Sequence, residues 1–481
     1  MPTRAPVRLD RLVAAIPEHL GARLVRDDPD AAQAVVDDTT HDSRQAGAGA
    51  LFVCVVGAET DGHRFAPDAV RSGATALLVE RELDLDVPQI VVADVRRAHG
   101  HVAAAVHGHP AAALTTIGVT GTNGKTTTTH LLGAALGGAG RQVSVIGTLS
   151  GVRTTPEASD LQRTLAGMRD NGTDTVVMEV SSHALALHRV DGMRFGAAVF
   201  TNLGRDHLDL HTSMEDYFRA KARLFTPEMT ELGVVNVDDA HGQLLLDVGG
   251  VPMHTFSRVD AIDVEVRPDR HRYRWRGHDV TVPLGGDVNV ANSLAALTTC
   301  AALDVDLSAA VAGLAAARPV PGRFEPVGVG LDHGFSVIVD YAHTPDGLAT
   351  VLASARRLVD GGRVIVVFGC GGERDRDKRA LMGAAAAAGA DAVVVTSDNP
   401  RGEDPAAIIA DVLAGVDARY RDRLVVEEDR RVAIGTALHA ARRGDVVIIA
   451  GKGHETTQTI GATALPFDDR VVARELLEGL T

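Results

Sequence analysis

The chain of 481 residues has few cysteines and no long apolar segment. Its three cysteines, Cys54, Cys300 and Cys370, are widely spaced and form neither a metal-ligand pattern nor a disulfide framework, which indicates a reducing compartment. No uninterrupted apolar run approaches the ~20 residues of a membrane-spanning helix, and the charged N-terminal segment lacks the apolar core of a signal peptide. The formal net charge of −15 disfavours general binding to nucleic acid or an anionic membrane. We therefore expect a cytoplasmic protein, without membrane insertion, that binds anionic substrates through local features.

The length predicts several domains, since a single hydrophobic core stops growing at about 250–300 residues. Short Val- and Ile-rich segments alternate with Ala-rich helical segments, a pattern typical of parallel α/β architecture. We predict domains at 1–112, 113–322 and 323–481. The segment 317–327, with three prolines and a glycine, is predicted to be a linker.

Three loops of the third section follow predicted strands: "GCGGERD", "SDNPRGEDP" and "GKGHE". In open α/β sheets, ligands bind at the carboxyl ends of the strands. We therefore expect these three loops to converge on one ligand, the alternative being three unrelated surface turns.

The segment "GVTGTNGKTTT" follows a predicted strand and opens a helix, as a phosphate-binding loop does. Its glycines let backbone N–H groups face phosphates, Lys125 suits the outer phosphates, and Thr126 suits Mg²⁺. The general pattern is not fully met, because its first glycine would fall at Val119.

Three further residues in this section are candidate metal or catalytic groups. Glu179 and His207 each follow a predicted strand, where capping or core hydrogen bonding is the alternative explanation. Lys221 shares a helix face with Met214 and Tyr217. Burial would lower the pKa of this lysine, and a neutral amine can react with CO₂ to give a carbamate that ligates Mg²⁺. Spacing alone favours a snorkelling lysine instead.

Together these segments resemble the Mur ligases, the ATP-dependent amide-forming enzymes of peptidoglycan synthesis. The resemblance runs through "GTNGKTTT", "MEVSSHAL", "NLGRDHLD", "YFRAKARLF", "NVANSLAA", "VPGRFE", "DYAHTPD" and the three loops above, in the family's order. It implies an N-terminal domain for the UDP end, a central ATPase domain and a C-terminal Rossmann-like domain for the amino acid. "TTPEASDLQ" and "SDNPR" resemble the members that add the third residue of the peptide.

The resemblance also implies residue roles. ATP contacts fall at Gly121, Thr122, Asn123, Gly124, Lys125, Thr126, Thr127, Asn289, Asn292, Arg323 and Asp340. A metal and catalytic set comprises Lys125, Thr126, Glu179, His207 and carbamylated Lys221. Contacts to the UDP-muramoyl-dipeptide fall at Ser43, with Asp42 and Arg44 beside it, and at Thr154, Thr155, Ser181 and Arg189. Amino acid contacts fall at Arg374, Asp398, Asn399, Pro400, Arg401, Gly451 and Glu455.

The implied reaction joins meso-diaminopimelate to the D-glutamyl γ-carboxylate of UDP-N-acetylmuramoyl-L-alanyl-D-glutamate, with ATP and Mg²⁺, through an acyl phosphate, in a monomer. Arg401 bears on the amino acid, because a guanidinium fork suits the distal carboxylate of diaminopimelate and repels the bare ammonium of lysine. The alternatives are L-lysine or another amino acid, a secondary-metabolite ligase, folylpolyglutamate synthetase and an inactive binding or scaffold homologue. Departures from the common motifs at Leu187, Val288 and Glu373 remove no catalytic group.

Overall fold

The computed structural model describes residues 5–25, 29–57, 60–151, 153–206, 210–331, 333–359 and 361–480. The N-terminal section holds a five-stranded sheet, whose buried Leu51 and Leu78 pack in one core with the helix Val95–Val106. In spatial order its strands are Arg23–Val25, Gln89–Val91, Ala76–Val79, Ala50–Val53 and Asp38–Thr40, parallel except for the first pair. A short antiparallel pair and three further helices complete it: Val7–Arg8, Val35–Val36, Leu9–Ala15, Pro29–Gln33 and Ala66–Arg71.

The central section is built on a six-stranded sheet that is parallel throughout. Its strands in spatial order are Met253–Phe256, Gly233–Asn236, Ala197–Phe200, Thr115–Thr120, Thr175–Glu179 and Val143–Ile146. After Thr115–Thr120, the chain first forms the strands on one side of it and then the strands on the other side. This strand therefore marks the switch point where ligands bind in such sheets. The helices are Lys125–Gly138, Ala158–Asp170, Ser182–Ala186, Met214–Ala222, Ala240–Val248, Val288–Ala302 and Leu307–Ala315.

The C-terminal section has a second six-stranded sheet, parallel except for its first strand. Its strands in spatial order are Glu325–Val327, Ser336–Asp340, Val446–Ala450, Val364–Phe368, Ala392–Val395 and Leu424–Val426. The helices are Pro345–Leu358, Asp377–Gly389, Pro405–Ala414, Arg430–Ala440 and Asp469–Glu478, and a hairpin joins Thr457–Ile460 to Thr463–Pro466. Nearly all the interior strands of this C-terminal sheet are apolar on both faces, as strands covered by helices must be.

The predicted α/β class is confirmed, and each predicted section contains one principal sheet, although the domain boundaries stay predictions. Two expectations were wrong in detail. The predicted linker 317–327 ends in a strand, Glu325–Val327, which pairs with Ser336–Asp340. The central section also contains an antiparallel sheet that the parallel pattern did not predict, formed by Ile262–Val266, His271–Trp275 and His278–Val282.

Polar contacts tie the three sections together. Arg163 of the central section donates to Asp38 of the N-terminal sheet at 2.9 Å. Asp346 of the C-terminal section accepts from the Arg205 backbone N–H at 2.9 Å, and Arg357 pairs with Asp287 at 3.0 Å. Within the described ranges, no helix combines the length and apolar character that crossing a membrane requires.

Candidate functional site

A cavity of about 710 Å³ opens where the carboxyl ends of the central strands face the C-terminal section. Most of the residues predicted for the ATP and metal sites line it, as do four predicted dipeptide contacts and one predicted amino acid contact. The lining includes Thr122, Asn123, Gly124, Lys125, Thr126, Thr127, Glu179, Lys221, Asn289, Asn292, Arg323, Asp340, Thr154, Thr155, Ser181, Arg189 and Arg374.

The phosphate-binding loop connects the strand Thr115–Thr120 to the helix Lys125–Gly138. Gly121 and Gly124 have φ angles of 146° and 86°, which disfavour other residues. A Cβ atom would lie 1.9 Å from the Thr201 hydroxyl at Gly121, and 2.6 Å from the Asn292 amide oxygen at Gly124. Both glycines are therefore required by conformation and by space, and together they bring the loop backbone to the N-terminus of the helix.

The two lysines of the site meet at one carbonyl. Lys125 donates from Nζ to the Gly121 and Thr122 carbonyls at 2.9 and 2.8 Å, and Lys221 donates to the same Gly121 carbonyl at 2.8 Å. Lys221 is 1% exposed, and its ammonium lies 4.6 Å from the centre of the Tyr217 ring. Burial, then repulsion from Lys125, moves the pKa of Lys221 well below its usual value. Lys221 is therefore buried, and the alternative of a snorkelling lysine is wrong.

Glu179 ends the strand Thr175–Glu179 and is 1% exposed. Its carboxylate accepts from the Thr148 backbone N–H at 2.8 Å and from the Thr148 hydroxyl at 3.3 Å. These bonds fix the carboxylate beside the phosphate-binding loop. His207, the remaining predicted member of this set, lies outside the described residues.

The donor set fits a magnesium ion of the kind that binds nucleotides. Such an ion takes one or two protein oxygens and completes its octahedron with phosphates and water. The Thr126 hydroxyl and the Glu179 carboxylate both line the cavity. Among the side chains that the structure describes, no group of three or more His, Cys, Asp or Glu is arranged to hold a metal by itself. The Thr126 and Glu179 oxygens thus suit an ion that is shared with phosphate.

Asn289 and Asn292 lie on the helix Val288–Ala302 and hold each other in place. Asn292 donates to the Asn289 amide oxygen at 2.9 Å, and Asn289 donates to the Gly285 carbonyl at 2.6 Å. Asn292 also accepts from the Thr128 hydroxyl at 3.3 Å. This pair therefore connects the wall of the cavity to the helix that carries the phosphate-binding loop.

Arg323 links the C-terminal section to this loop. Its Nη2 donates to the Thr126 hydroxyl at 3.2 Å, and its guanidinium stacks 4.4 Å from the centre of the Tyr341 ring. Asp340 accepts from the Phe324 and Ala342 backbone N–H groups at 2.7 and 2.8 Å, while burial raises its pKa. Two residues within the predicted linker, Arg323 and Phe324, are thereby fixed at the site.

The predicted dipeptide contacts divide into two places. Thr155 donates to the Glu179 carbonyl at 2.9 Å and accepts from the Ser181 backbone N–H at 3.1 Å. Arg189 pairs with Glu157 at 2.7 Å. Ser43, by contrast, begins a short 3₁₀ segment, Ser43–Gln45. Asp42, which precedes it, pairs with Arg44 at 2.8 Å. These three residues follow the strand Asp38–Thr40 and are not part of the cavity lining.

The three C-terminal loops contact one another, and their binding of one ligand stays a prediction. The Gly372 N–H donates to the Asn399 carbonyl at 2.9 Å, and Arg401 donates from Nη1 to the Gly372 carbonyl at 2.6 Å. Asn399 donates to the Glu455 carboxylate at 2.8 Å. Arg374 reaches the cavity, whereas the other predicted contacts, Asp398, Asn399, Pro400, Arg401, Gly451 and Glu455, are not part of its lining.

Sequence reasoning missed several side chains of the site. Lys452 is fully buried and donates to the Thr457 carbonyl at 2.6 Å and to the Asn399 amide oxygen at 3.3 Å. Tyr341, His343 and His454 line the cavity. The quoted segments "DYAHTPD" and "GKGHE" contained them all, and polar residues after a predicted strand were the available signal.

Comparisons with known proteins agree with this geometry. Three family models match successive segments: "Mur ligase family, catalytic domain" at 36–113, "Mur ligase middle domain" at 119–300 and "Mur ligase, glutamate ligase domain" at 322–453. A Streptomyces avermitilis protein named UDP-N-acetylmuramoyl-L-alanyl-D-glutamate–2,6-diaminopimelate ligase is 45% identical, over 92% of this chain and 93% of its own. A Gloeobacter violaceus protein of the same name is 46% identical, over 91% and 92%.

A solved structure with this name matches 99% of both chains at 33% identity, with a TM-score of 0.69. The similarity to the named proteins thus extends over nearly the whole length of both partners, and it includes the principal sheet of each of the three sections. From the family models and these relatives together, the chain belongs to the Mur ligase family.

Proposed function

We propose that this chain is an ATP-dependent ligase that joins meso-2,6-diaminopimelate to the D-glutamyl γ-carboxylate of UDP-N-acetylmuramoyl-L-alanyl-D-glutamate, in peptidoglycan synthesis. The observation that carries the proposal is one cavity that contains both a phosphate-binding loop and a residue of the amino acid loops, Arg374. Relatives at 45% and 46% identity carry the name of that activity.

ATP would lie along the phosphate-binding loop, with its phosphates at the N-terminus of the helix Lys125–Gly138. Lys125 would exchange its two loop carbonyls for phosphate oxygens. Arg323 would also bind a phosphate oxygen, since it already contacts Thr126 beside the loop. Asn289, Asn292 and Asp340 would position the nucleoside end.

The Thr126 hydroxyl and the Glu179 carboxylate would hold Mg²⁺, and His207 and carbamylated Lys221 are proposed to complete the metal set. Bound magnesium would neutralise phosphate charge, which allows a carboxylate to approach the triphosphate. Lys221 supports this role because its low pKa favours the neutral amine that CO₂ requires. As a carbamate, the Lys221 side chain would give up its bond to the Gly121 carbonyl and would carry an anionic oxygen.

The reaction follows from the chemistry of the two substrates. A carboxylate is a poor electrophile, so transfer of the γ-phosphoryl group would first give an acyl phosphate. The amine of the incoming amino acid would then attack the acyl carbon, and phosphate would leave. The protein's contribution is to hold the carboxylate in line and to stabilise the developing charge with Lys125 and Arg323.

Thr154, Thr155, Ser181 and Arg189 are proposed to hold the muramoyl-dipeptide. Ser43, outside the cavity lining, is proposed to contact the uridine end. The amino acid would bind at the converged loops, where Arg401 is proposed to contact the distal carboxylate. L-lysine is the alternative amino acid, and it lacks that carboxylate.

ADP release in the presence and absence of UDP-N-acetylmuramoyl-L-alanyl-D-glutamate tests the ligase assignment. The expected result is release that depends on this acceptor together with diaminopimelate. If no amino acid and acceptor pair stimulates ADP release, the chain is an inactive homologue and the proposal fails.

A further inference from the structure

His454 has no function in the proposal above, yet its position is unusual. It lies in the loop that follows the strand Val446–Ala450, next to Glu455, and its ring lines the cavity. The ring forms no hydrogen bond to any residue in the described part of the chain, and its Nδ1 atom is buried without a partner. Buried polar groups in native proteins are almost always hydrogen-bonded, so an exception calls for an explanation such as a bound ligand.

Packing, rather than hydrogen bonding, holds this side chain. Its ring lies 5.1 Å from the ring of Tyr341, centre to centre. The backbone beneath it is fixed by two glycines in contact: a Cβ atom on Gly322 would lie 2.1 Å from both the Gly453 carbonyl carbon and the His454 nitrogen. The imidazole is therefore held by packing, and neither of its nitrogens is used in a hydrogen bond within the described residues.

His454 lies between the proposed phosphate site and the proposed amino acid site. On one side is Arg323, which stacks on the Tyr341 ring that His454 also contacts, and which donates to Thr126 of the phosphate-binding loop. On the other side, the next residue in the chain is Glu455, which is bonded to Asn399 in the amino acid loops. In the proposed reaction, a group at this point would face the junction of phosphate and incoming amine.

The charges around the ring favour neutral imidazole. Burial, followed by the positive charges of Arg323 and Arg470, lowers the pKa of His454 to about 4, and Asp468 opposes this shift. The phenol of Tyr341 also packs against the ring. At neutral pH the imidazole can therefore accept a hydrogen bond. Phosphate bound beside Arg323 would offset its positive charge and make the imidazole more basic.

We propose that His454 is the general base that accepts the proton of the incoming amino group. This inference depends on the proposed function. The amino group first releases one proton to solvent. As the free amine, its nitrogen forms a bond to the acyl carbon, the bond from that carbon to the phosphate oxygen breaks, and phosphate leaves with the electron pair. As the nitrogen gains its fourth bond it becomes strongly acidic, and its proton moves to the imidazole. The imidazolium then passes this proton to solvent.

The test compares two nucleophiles on the same acyl phosphate. Attack by the diaminopimelate amine gives a nitrogen that needs a base to remove its proton, whereas hydroxylamine is a much weaker base, so the nitrogen that it adds gives up its proton to water readily. With His454→Ala, we expect amide synthesis to fall by about 100-fold or more, while hydroxamate formation stays within about threefold of wild type. The residual amide rate should rise with pH more steeply than the wild-type rate, by about tenfold more per unit, because hydroxide replaces the missing base.

Matched variants keep the result interpretable. His454→Asn retains a hydrogen-bonding side chain without a basic nitrogen, and we expect the same selective loss; it also carries the test if the alanine variant does not fold. His439→Ala is the control, since His439 lies on the helix Arg430–Ala440 and bonds to the Gly435 carbonyl at 2.8 Å. Its kinetics should match wild type.

Equal loss with both nucleophiles would overturn the inference, because it would place His454 in the formation of the acyl phosphate. Unchanged amide synthesis would overturn it as well. Failure of the wild-type protein to form an amide with any amino acid would instead contradict the proposed function, so the two failures are distinguishable.

Discussion

Replacing Arg401 with alanine tests the assignment of the amino acid most selectively. Arg401 has a φ angle of 52°, and alanine retains the Cβ atom, so the substitution adds no backbone strain. The side chain donates from Nη1 to the Gly372 carbonyl at 2.6 Å, which orients the guanidinium. Its other N–H groups have no partner among the described residues, and these would form the fork that holds a carboxylate.

The size of the effect follows from these contacts. Loss of the bond to the Gly372 carbonyl should reduce the free energy of unfolding by about 1 kcal/mol. Loss of a paired set of charge-assisted hydrogen bonds to the distal carboxylate should weaken binding by about 3 kcal/mol, or roughly 100-fold in KM for diaminopimelate. Arg401 is not part of the cavity lining, so the Kd for ATP should stay within about twofold.

The assay measures KM for diaminopimelate from ADP release and Kd for ATP by titration calorimetry. Arg401→Lys retains the charge without the fork and should fall between the alanine variant and wild type. Arg421→Ala is the control, since Arg421 lies in the exposed 3₁₀ segment Ala418–Arg423. An unchanged KM for diaminopimelate, or an equal loss of ATP affinity, would refute the role of Arg401.

Three further predictions concern stability and reactivity. Asp469→Asn should lower the free energy of unfolding in urea by about 3–5 kcal/mol, because it leaves fully buried Arg430 without its partner at 2.7 Å; a loss below about 1 kcal/mol would contradict this. Burial lowers the pKa of His271 to about 4, so below its ordinary value of 6.5 the unfolded chain binds more protons. Stability should therefore fall as the pH drops through that window, by up to about 1.4 kcal/mol per unit, and His271→Gln should remove this part of the slope. An unchanged slope would exclude His271 as the cause. Burial also raises the pKa of all three cysteine thiols to about 12, so a thiol reagent should label none in the native protein and three in urea; labelling of the native protein would disprove their burial.

Much of the fold could be predicted from the sequence, because the central strands are continuous apolar runs covered by helices on both faces. The antiparallel sheet was missed for the opposite reason. In its middle strand, buried His271, Tyr273 and Trp275 alternate with exposed Arg272 and Arg274, which lowers the overall hydrophobicity. The alternation was present in the sequence, but the surrounding parallel pattern concealed it.

The candidate site was predictable where a motif carries its own backbone geometry, as the phosphate-binding loop does. The state of Lys221 was not predictable from its helix, since its partner, the Gly121 carbonyl, lies 100 residues away in the chain. His454 was missed for a similar reason. Its exposure to the cavity depends on contacts with Tyr341 and Gly322, which only the folded chain brings together.

The mass of the product is the sharpest test of the proposed reaction. The protein is incubated with ATP, Mg²⁺ and UDP-N-acetylmuramoyl-L-alanyl-D-glutamate, with meso-diaminopimelate or L-lysine supplied separately. We expect a product with the mass of the diaminopimelate adduct, and little or none with lysine. A larger yield of the lysine adduct would contradict the assignment of the amino acid, and no adduct with either would contradict the proposed reaction.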